Sequence, residues 1–226
     1  MKGGPMNGSI PVEEMIRRYK QVHTCAIADV LDKRGFFHQI LPHEIQAIAP
    51  GLKLAGPCQT IKGTPTTIHK DEYLEVAVEA YASLEAGQIA VYDTSADNSA
   101  AHWGEMLSTT TRAKGLGGAV IDGGVRDVEQ IVALGFPVFA RYRTPADIRG
   151  RWRYVEIGVP IRIGDVDIRP GDWVIGDANG VVVVPKDLAE EVLLEAEEVV
   201  AVENKIREEL RAGAHPMHVY LRHGRF

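Results

Sequence analysis

Cysteine is scarce in this 226-residue chain: Cys25 and Cys58 are the only two. They stand outside any CxxC spacing, which excludes a disulfide framework and argues against a cysteine zinc site. Long apolar runs are missing as well. The longest spans a handful of residues, far short of the ~20 that a membrane helix needs. The opening MKGGPMNGSIPVEE has no apolar stretch behind its single Lys2 and does not read as a secretory leader. The expectation is a cytoplasmic protein without membrane contact. Positive charge is in deficit, with 25 Lys and Arg against 31 Asp and Glu, a net charge of −6 and a pI near 5.8. That is the wrong sign for a nucleic-acid partner. It leaves open a small anionic ligand, which needs only a local cluster of donors. A Walker A motif and a GxSxG elbow are absent. The glycines of GLGGAVIDGG (115–124) flank a strand and do not open a helix as GxGxxG, so a dinucleotide or methyl-donor site is rejected. There is no internal repeat, low-complexity tract or linker.

What is present suits a single α/β domain over residues 1–226, with 1–10 as a loose tail. Hydrophobic residues make up 45% and charged residues 25%, enough to bury a sizeable core. Helical spacing appears at Val12, Met15, Ile16 and Tyr19, and again from Thr24, read as an N-cap, to Gly35. Residues 45–67 are interrupted by Pro50, Gly51, Gly56, Pro57 and Gly63 and read as short strands and turns. Asp71 is the expected cap of a third helix through Tyr81. The centre then alternates: strand 88–93, helix 104–114, strand 118–122, helix 126–134, strand 137–142. That βαβαβ rhythm implies parallel strands with right-handed crossovers. Strands over 153–163, 172–176 and 181–185 follow, with a hairpin at Gly164-Asp165. Asp187 is read as the cap of a closing helix to about Leu210. The polar face of that helix carries Glu190, Glu191, Glu195, Glu197, Glu198 and Glu203; such a face is ordinarily solvated and otherwise lends a carboxylate to a site.

The strongest chemical signal is IDGGVRD (121–127). A buried strand is expected to end at Asp122, two glycines to turn tightly, and Arg126-Asp127 to open a helix. Ligands of parallel α/β sheets bind beyond the carboxyl ends of the strands, where helix-start amides favour an anion. Arg126 offers a bidentate fork for a carboxylate, and Asp127 a hard oxygen suited to Mg²⁺. The same geometry recurs one strand earlier. There Gly104 permits close backbone approach, the amides of Glu105, Met106 and Leu107 could face a ligand, and Glu105 could hold a metal-bound water. His102 beside this loop is either an acid or base, or a structural histidine. His215 and His218 have no carboxylate partner and do not read as ligands. Arg141, Arg143, Arg149, Arg151 and Arg153 form either a loop of ion pairs or a subsite for a second carboxylate or phosphate.

HWGEML (102–107), GLGGAVIDGGVRD (115–127), FPVFAR (136–141), RPGDWVIGDANGVVVVP (169–185), IAPGLKLAGP (48–57) and the Glu-rich final helix together resemble the family of ribonuclease E activity regulator A-like proteins. That family includes the 4-hydroxy-4-methyl-2-oxoglutarate aldolases, and the resemblance runs from about Thr24 to Leu210. It implies a swivelling β/β/α fold and a divalent-metal pyruvate aldolase using Mg²⁺ or Mn²⁺. Homotrimers or homohexamers with sites between subunits are implied too. The family's metal aspartate falls on Asp127 and its pyruvate-binding arginine on Arg126. The amide loop falls on Gly104, Glu105, Met106 and Leu107, with Glu105 steadying metal waters. A glutamate lent by the neighbouring subunit falls on Asp29, a shorter side chain. The methyltransferase label that members often carry does not suit a sequence without a methyl-donor site.

Two functions from different classes follow. One is a lyase that splits a 4-hydroxy-2-oxo acid to pyruvate and also decarboxylates oxaloacetate. In it Arg126 stabilises the enolate oxygen, and a water held by Asp29 or Glu105 takes the hydroxyl proton. Lys62 and Lys114 sit in polar contexts, which disfavours a Schiff base. The other is a non-catalytic regulator that binds a ribonuclease or helicase. The intact Gly104-Glu105 and Arg126-Asp127 pairs favour chemistry.

Overall fold

A computed structural model describes residues 10–68 and 73–224. Helices α1 (Val12–Tyr19) and α2 (Thr24–Lys33) lead into β1 (Gln46–Ala47) and β2 (Leu54–Pro65). The alternating centre comprises α3 (Tyr73–Ala82), β3 (Ile89–Asp93), β4 (Ala101–Trp103), α4 (Glu105–Ala113), β5 (Gly118–Val125), α5 (Val128–Leu134) and β6 (Val138–Arg143). After it come β7 (Trp152–Ile157), β8 (Ile161–Ile163), β9 (Val166–Ile168), β10 (Trp173–Asp177) and β11 (Gly180–Val184). The chain closes with α6 (Ala189–Arg211) and α7 (Pro216–His223). The expected cap at Asp71 and residues 1–9 of the expected tail lie outside the described residues.

The main sheet runs β1-β6-β5-β3-β2-β10-β11, with β4 on β5 and β7 on β2. The pairs β2–β3, β3–β5, β4–β5 and β5–β6 are parallel, so the expected βαβαβ unit is present and extends back through α3 to β2. The other pairings are antiparallel. The chain entering β1 bonds to β11, with Val183 donating to the Gln39 carbonyl at 2.8 Å and Leu41 to Val181 at 3.0 Å. Since β1 itself pairs with β6, the two sheet edges are bridged, and this mixed sheet is nearly closed.

Three apolar clusters fill the structure. One lies between α1, α2, α6 and the outer faces of β10 and β11. A second lies under α3, α4 and α5. The third, inside the curved sheet, is capped by the β8–β9 hairpin, whose turn falls at Gly164-Asp165 as expected.

Several breakers are close-packing residues instead. Residues 54–65 form one long strand because β2 changes partners along its length, from β10 to β3 to β7. Pro57 sits at the switch, facing Trp173 just before the β3 register begins. A Cβ on Gly56 would overlap the Gly87 carbonyl, and one on Gly63 would overlap the Trp152 ring. These glycines let backbone and ring approach closely, a recurrent use of glycine inside strands.

The helix caps also differ from expectation. His23 caps α2, its Nδ1 accepting from the Ala26 amide at 3.1 Å. Thr24 is the first helical residue and is clamped, by its amide and hydroxyl, to Asp177 at 2.9 and 2.7 Å. Asp187 lies in a 3₁₀ turn before α6 and makes no cap bond. The glutamates of α6 are tie points: Glu197 accepts from Arg18, Glu191 and Glu195 from Arg34, and Glu203 pairs with His23. They fasten α1 and α2 across the apolar cluster.

Candidate functional site

Strand β5 does not end at Asp122. It runs buried to Val125, so Gly123 and Gly124 are strand residues with no turn to make. A Cβ on Gly123 would stand 2.5 Å from His102 Nδ1, and one on Gly124 would stand 2.5 Å from the Ala100 carbonyl oxygen. The glycines admit β4, a strand that the polar composition of residues 93–103 hides. β4 lies parallel to the last residues of β5, pairing Ala101 with Gly124 and Trp103 with Val125. Both strands therefore end at the same level, and both feed helices there.

Beyond that edge, Arg126 donates its amide to the Trp103 carbonyl at 3.0 Å. Asp127 takes up a left-handed conformation at φ +55° as the residue before α5. For a non-glycine residue that conformation is uncommon, and it turns the carboxylate towards α4. Asp127 Oδ2 accepts from the Glu105 amide at 3.1 Å and stands 3.7 Å from Arg126 Nε. A Cβ on Gly104 would meet that Oδ2 at 2.9 Å and Arg126 Cγ at 3.2 Å, so glycine is what allows α4 and the Arg126-Asp127 pair to close on one another. Arg126 Nη1 donates to Asp147 at 2.7 Å. Burial pushes the Asp147 carboxyl up, but the Arg149 amide and Arg126 together hold it below its ordinary value.

These groups border a cavity of about 290 Å³. Gly104, Met106, Leu107, Arg126 and Asp127 all line it, so five of the seven anticipated site residues come together. Glu105 contributes its amide, while its carboxylate accepts from Thr109 Oγ1 at 2.7 Å. Asp29 is exposed on α2, on the β10–β11 side, and does not line this cavity. The arginine cluster disperses. Arg141 pairs with Asp122 and Glu44, Arg143 donates to the Ile48 carbonyl, Arg151 donates to the Asp147 carbonyl, and only Arg149 reaches the cavity. Neither Lys62 nor Lys114 lines it, and Lys114 donates to the carbonyls of Tyr81 and Ala82.

His102 in the cavity wall is a strut. It is 2% exposed, Nε2 bonds Asp97 at 3.0 Å, and Nδ1 accepts from the Gly124 amide at 3.2 Å. The amide donor fixes the proton on Nε2. Burial brings the imidazole down to about 4 against the opposing pull of Asp97, so it is neutral near pH 7 with both nitrogens occupied. His215 caps α7, its Nδ1 accepting from Met217, a helix absent from the sequence reading.

Ala77, Tyr81, Ile148 and Tyr154 complete the cavity wall. Sequence reasoning missed them because they come from α3, β7 and the β6–β7 loop, each unremarkable on its own. Among the described residues no group of three His, Cys, Asp or Glu side chains is placed to hold a metal ion, and no helix is long and apolar enough to cross a membrane.

The family model for RraA-like proteins, described as Aldolase/RraA, matches residues 24–183. The chain belongs to the RraA-like family. A Halalkalibacterium halodurans protein named "Putative 4-hydroxy-4-methyl-2-oxoglutarate aldolase" is 32% identical over 183 residues, covering 81% of this chain and 82% of its own. Among solved structures, a chain described with novel cellulases from gut-associated microbes superposes with a TM-score of 0.84 at 36% identity, covering 89% of this chain and 90% of that one. Streptomyces coelicolor RraAS2, described as an unusual member of the RNase ES inhibitor RraA family, gives 0.79 at 26% identity over 88% of this chain and all of its own. The region matched by the RraA-like model contains both helix starts and the Arg126-Asp127 pair.

Proposed function

We propose that this RraA-like protein is a divalent-metal-dependent pyruvate lyase. It would cleave 4-hydroxy-2-oxo acids to pyruvate and decarboxylate oxaloacetate through the same enolate. The observation that carries the reading is the convergence of Arg126, Asp127 and the first turn of α4 on one cavity. Family membership and the aldolase name of the H. halodurans relative support it.

The donor set fits a hard cation held mostly by water and substrate. Asp127 offers one partly exposed carboxylate with an oxygen already oriented by an amide, and both nitrogens of His102, the imidazole in the cavity wall, are already bonded. Mg²⁺ and Mn²⁺ suit oxygen ligands of this kind. When bound, such an ion supplies electrophilic stabilisation of charge on the keto oxygen.

The chain's own residues do the rest. Arg126 binds the substrate carboxylate and stabilises negative charge growing on the adjacent oxygen. The first-turn amides of Met106 and Leu107, which lack intrahelical acceptors, orient the same carboxylate. Asp147 and Asp127 hold the guanidinium from two sides, which limits its rotamers before substrate arrives. The hydroxyl proton passes to a water positioned by an acidic side chain, either Glu105 or Asp29 of a neighbouring copy in a trimer or hexamer. With no lysine on the cavity, imine chemistry has no nucleophile there among the described residues.

The direct test is pyruvate release from oxaloacetate with Mg²⁺ or Mn²⁺, with and without EDTA. Metal-dependent release abolished by Asp127→Ala is expected. Release that survives both EDTA and Asp127→Ala would refute the reading.

A further inference from the structure

Resting on that lyase reading, we infer that the cavity takes a 4-hydroxy-2-oxo acid whose carbon 4 carries an uncharged, apolar group, released as an aldehyde or ketone without a second carboxylate.

Two kinds of side chain line the cavity: Arg126, Asp127, Asp147 and Arg149 carry charge, while Ala77, Tyr81, Leu107, Ile148 and Tyr154 are apolar or aromatic. The two tyrosines present their rings, because their hydroxyls are bonded to each other and Tyr81 also accepts from the fully buried Tyr92 at 3.0 Å. The Tyr81 and Tyr154 rings meet edge to face with centroids 6.2 Å apart, and Tyr154 is braced in turn by Trp152 at 4.8 Å. This wall is built from large, mutually packed side chains.

A carboxylate at the far end of a substrate would have to lose water against that wall, which is costly without a paired cation. Of the five arginines between 141 and 153, only Arg149 borders the cavity. Its neighbour Asp147 is ionised and bonded to Arg126 at 2.7 Å, so the same rim that offers Arg149 also offers a negative charge. An alkyl or aryl group loses nothing of this kind and gains contact area with the rings.

In the reaction, the C3–C4 bond breaks and its electron pair stays on C3 as the pyruvate enolate. The C4 hydroxyl proton goes to the base, C4 becomes a carbonyl, and C3 is then protonated to give pyruvate.

The test has two arms, both on the full-length protein with Mg²⁺ or Mn²⁺. The first follows deuterium exchange at the methyl group of pyruvate, which reads enolate formation alone. The second compares kcat/KM for 4-hydroxy-2-oxo acids bearing phenyl or isopropyl at carbon 4 with those bearing carboxylate or carboxymethyl. A preference of about tenfold or more for the apolar series is expected, a range that hydrophobic pockets reach. Ile148→Arg, normalised to its own exchange rate, should shift that ratio towards the dicarboxylates; Ala77→Asp should lower turnover of the apolar series in the same normalised assay. Exchange with equal or better cleavage of the dicarboxylates, or exchange with no cleavage of either series, overturns the assignment. No metal-dependent exchange at all overturns the lyase reading and this inference with it.

Discussion

At the scale of single residues, Arg126 is the side chain on which the proposed chemistry turns. Its fork is shared between Asp147 and the space facing α4. Removing a donor aimed at developing negative charge costs on the order of 100-fold or more in kcat, and that loss is expected for Arg126→Ala in the oxaloacetate assay. Arg126→Lys should also be poor, because an ammonium cannot make two parallel bonds from one planar group; full activity in that variant would remove the bidentate role. His102 gives a prediction about pH. Its folded value is down at about 4 from an ordinary 6.5, so between those values the unfolded chain binds the extra proton. Stability must therefore rise with pH across that window and fall on acidification through it, by up to ~3 kcal/mol from this group alone. Urea titrations at pH 7.0, 5.5 and 4.5 should show that loss in the wild type and a smaller one in His102→Gln. Identical slopes would mean that the buried imidazole is not what senses acid.

At the scale of elements, packing and charge contribute unequally. The glutamates of α6 tie down α1 and α2, but Glu191 and Glu195 are largely exposed. Pairs of that kind contribute roughly 0.2–1 kcal/mol, so Glu195→Ala should barely move a urea midpoint. Leu193, two residues from each of them and so on the opposite face of the same helix, is fully buried against the sheet. Leu193→Ala should cost about 2–5 kcal/mol. Equal effects of the two substitutions would mean that the helix is held by its ion pairs. In β2, Gly63→Ala drives a methyl group into the Trp152 ring. Overpacking of this sort costs about 1–3 kcal/mol or more, and because Trp152 braces Tyr154, activity should fall together with stability.

For the whole molecule, the question is where Asp29 works. It lies on α2 against α6, β10 and β11, while the cavity lies across β4, β5, α3 and α4. One chain does not bring the two together, so a role for Asp29 in the site requires a second copy. Asp29→Ala and Asp127→Ala chains, each inactive, should then regain activity when unfolded and refolded together, since some interfaces would carry both intact residues. Full activity of Asp29→Ala alone would show that α2 plays no part in the reaction. An inactive Asp29→Ala that never complements would place the requirement within one chain.

The sequence by itself determined the alternating centre, because apolar periodicity is a local property that strand and helix each declare within a dozen residues. It also located Arg126, Asp127 and the first turn of α4 at one sheet edge, since parallel strands with short links have their carboxyl ends at one level. What only the tertiary structure decided are the features that depend on a distant partner. Gly56, Gly63, Gly123 and Gly124 read as turns locally, yet each makes room for a ring, a carbonyl or a neighbouring strand. β4 has a polar approach and three residues, and it is a strand only because β5 continues past Asp122 to receive it. The caps at Thr24 and Asp187 moved because Asp177 claimed one residue and a 3₁₀ turn absorbed the other. The apolar part of the cavity lining is the clearest case. Ala77, Ile148 and Tyr154 come from three separate elements, and closure of the sheet with its crossovers is what makes them one wall.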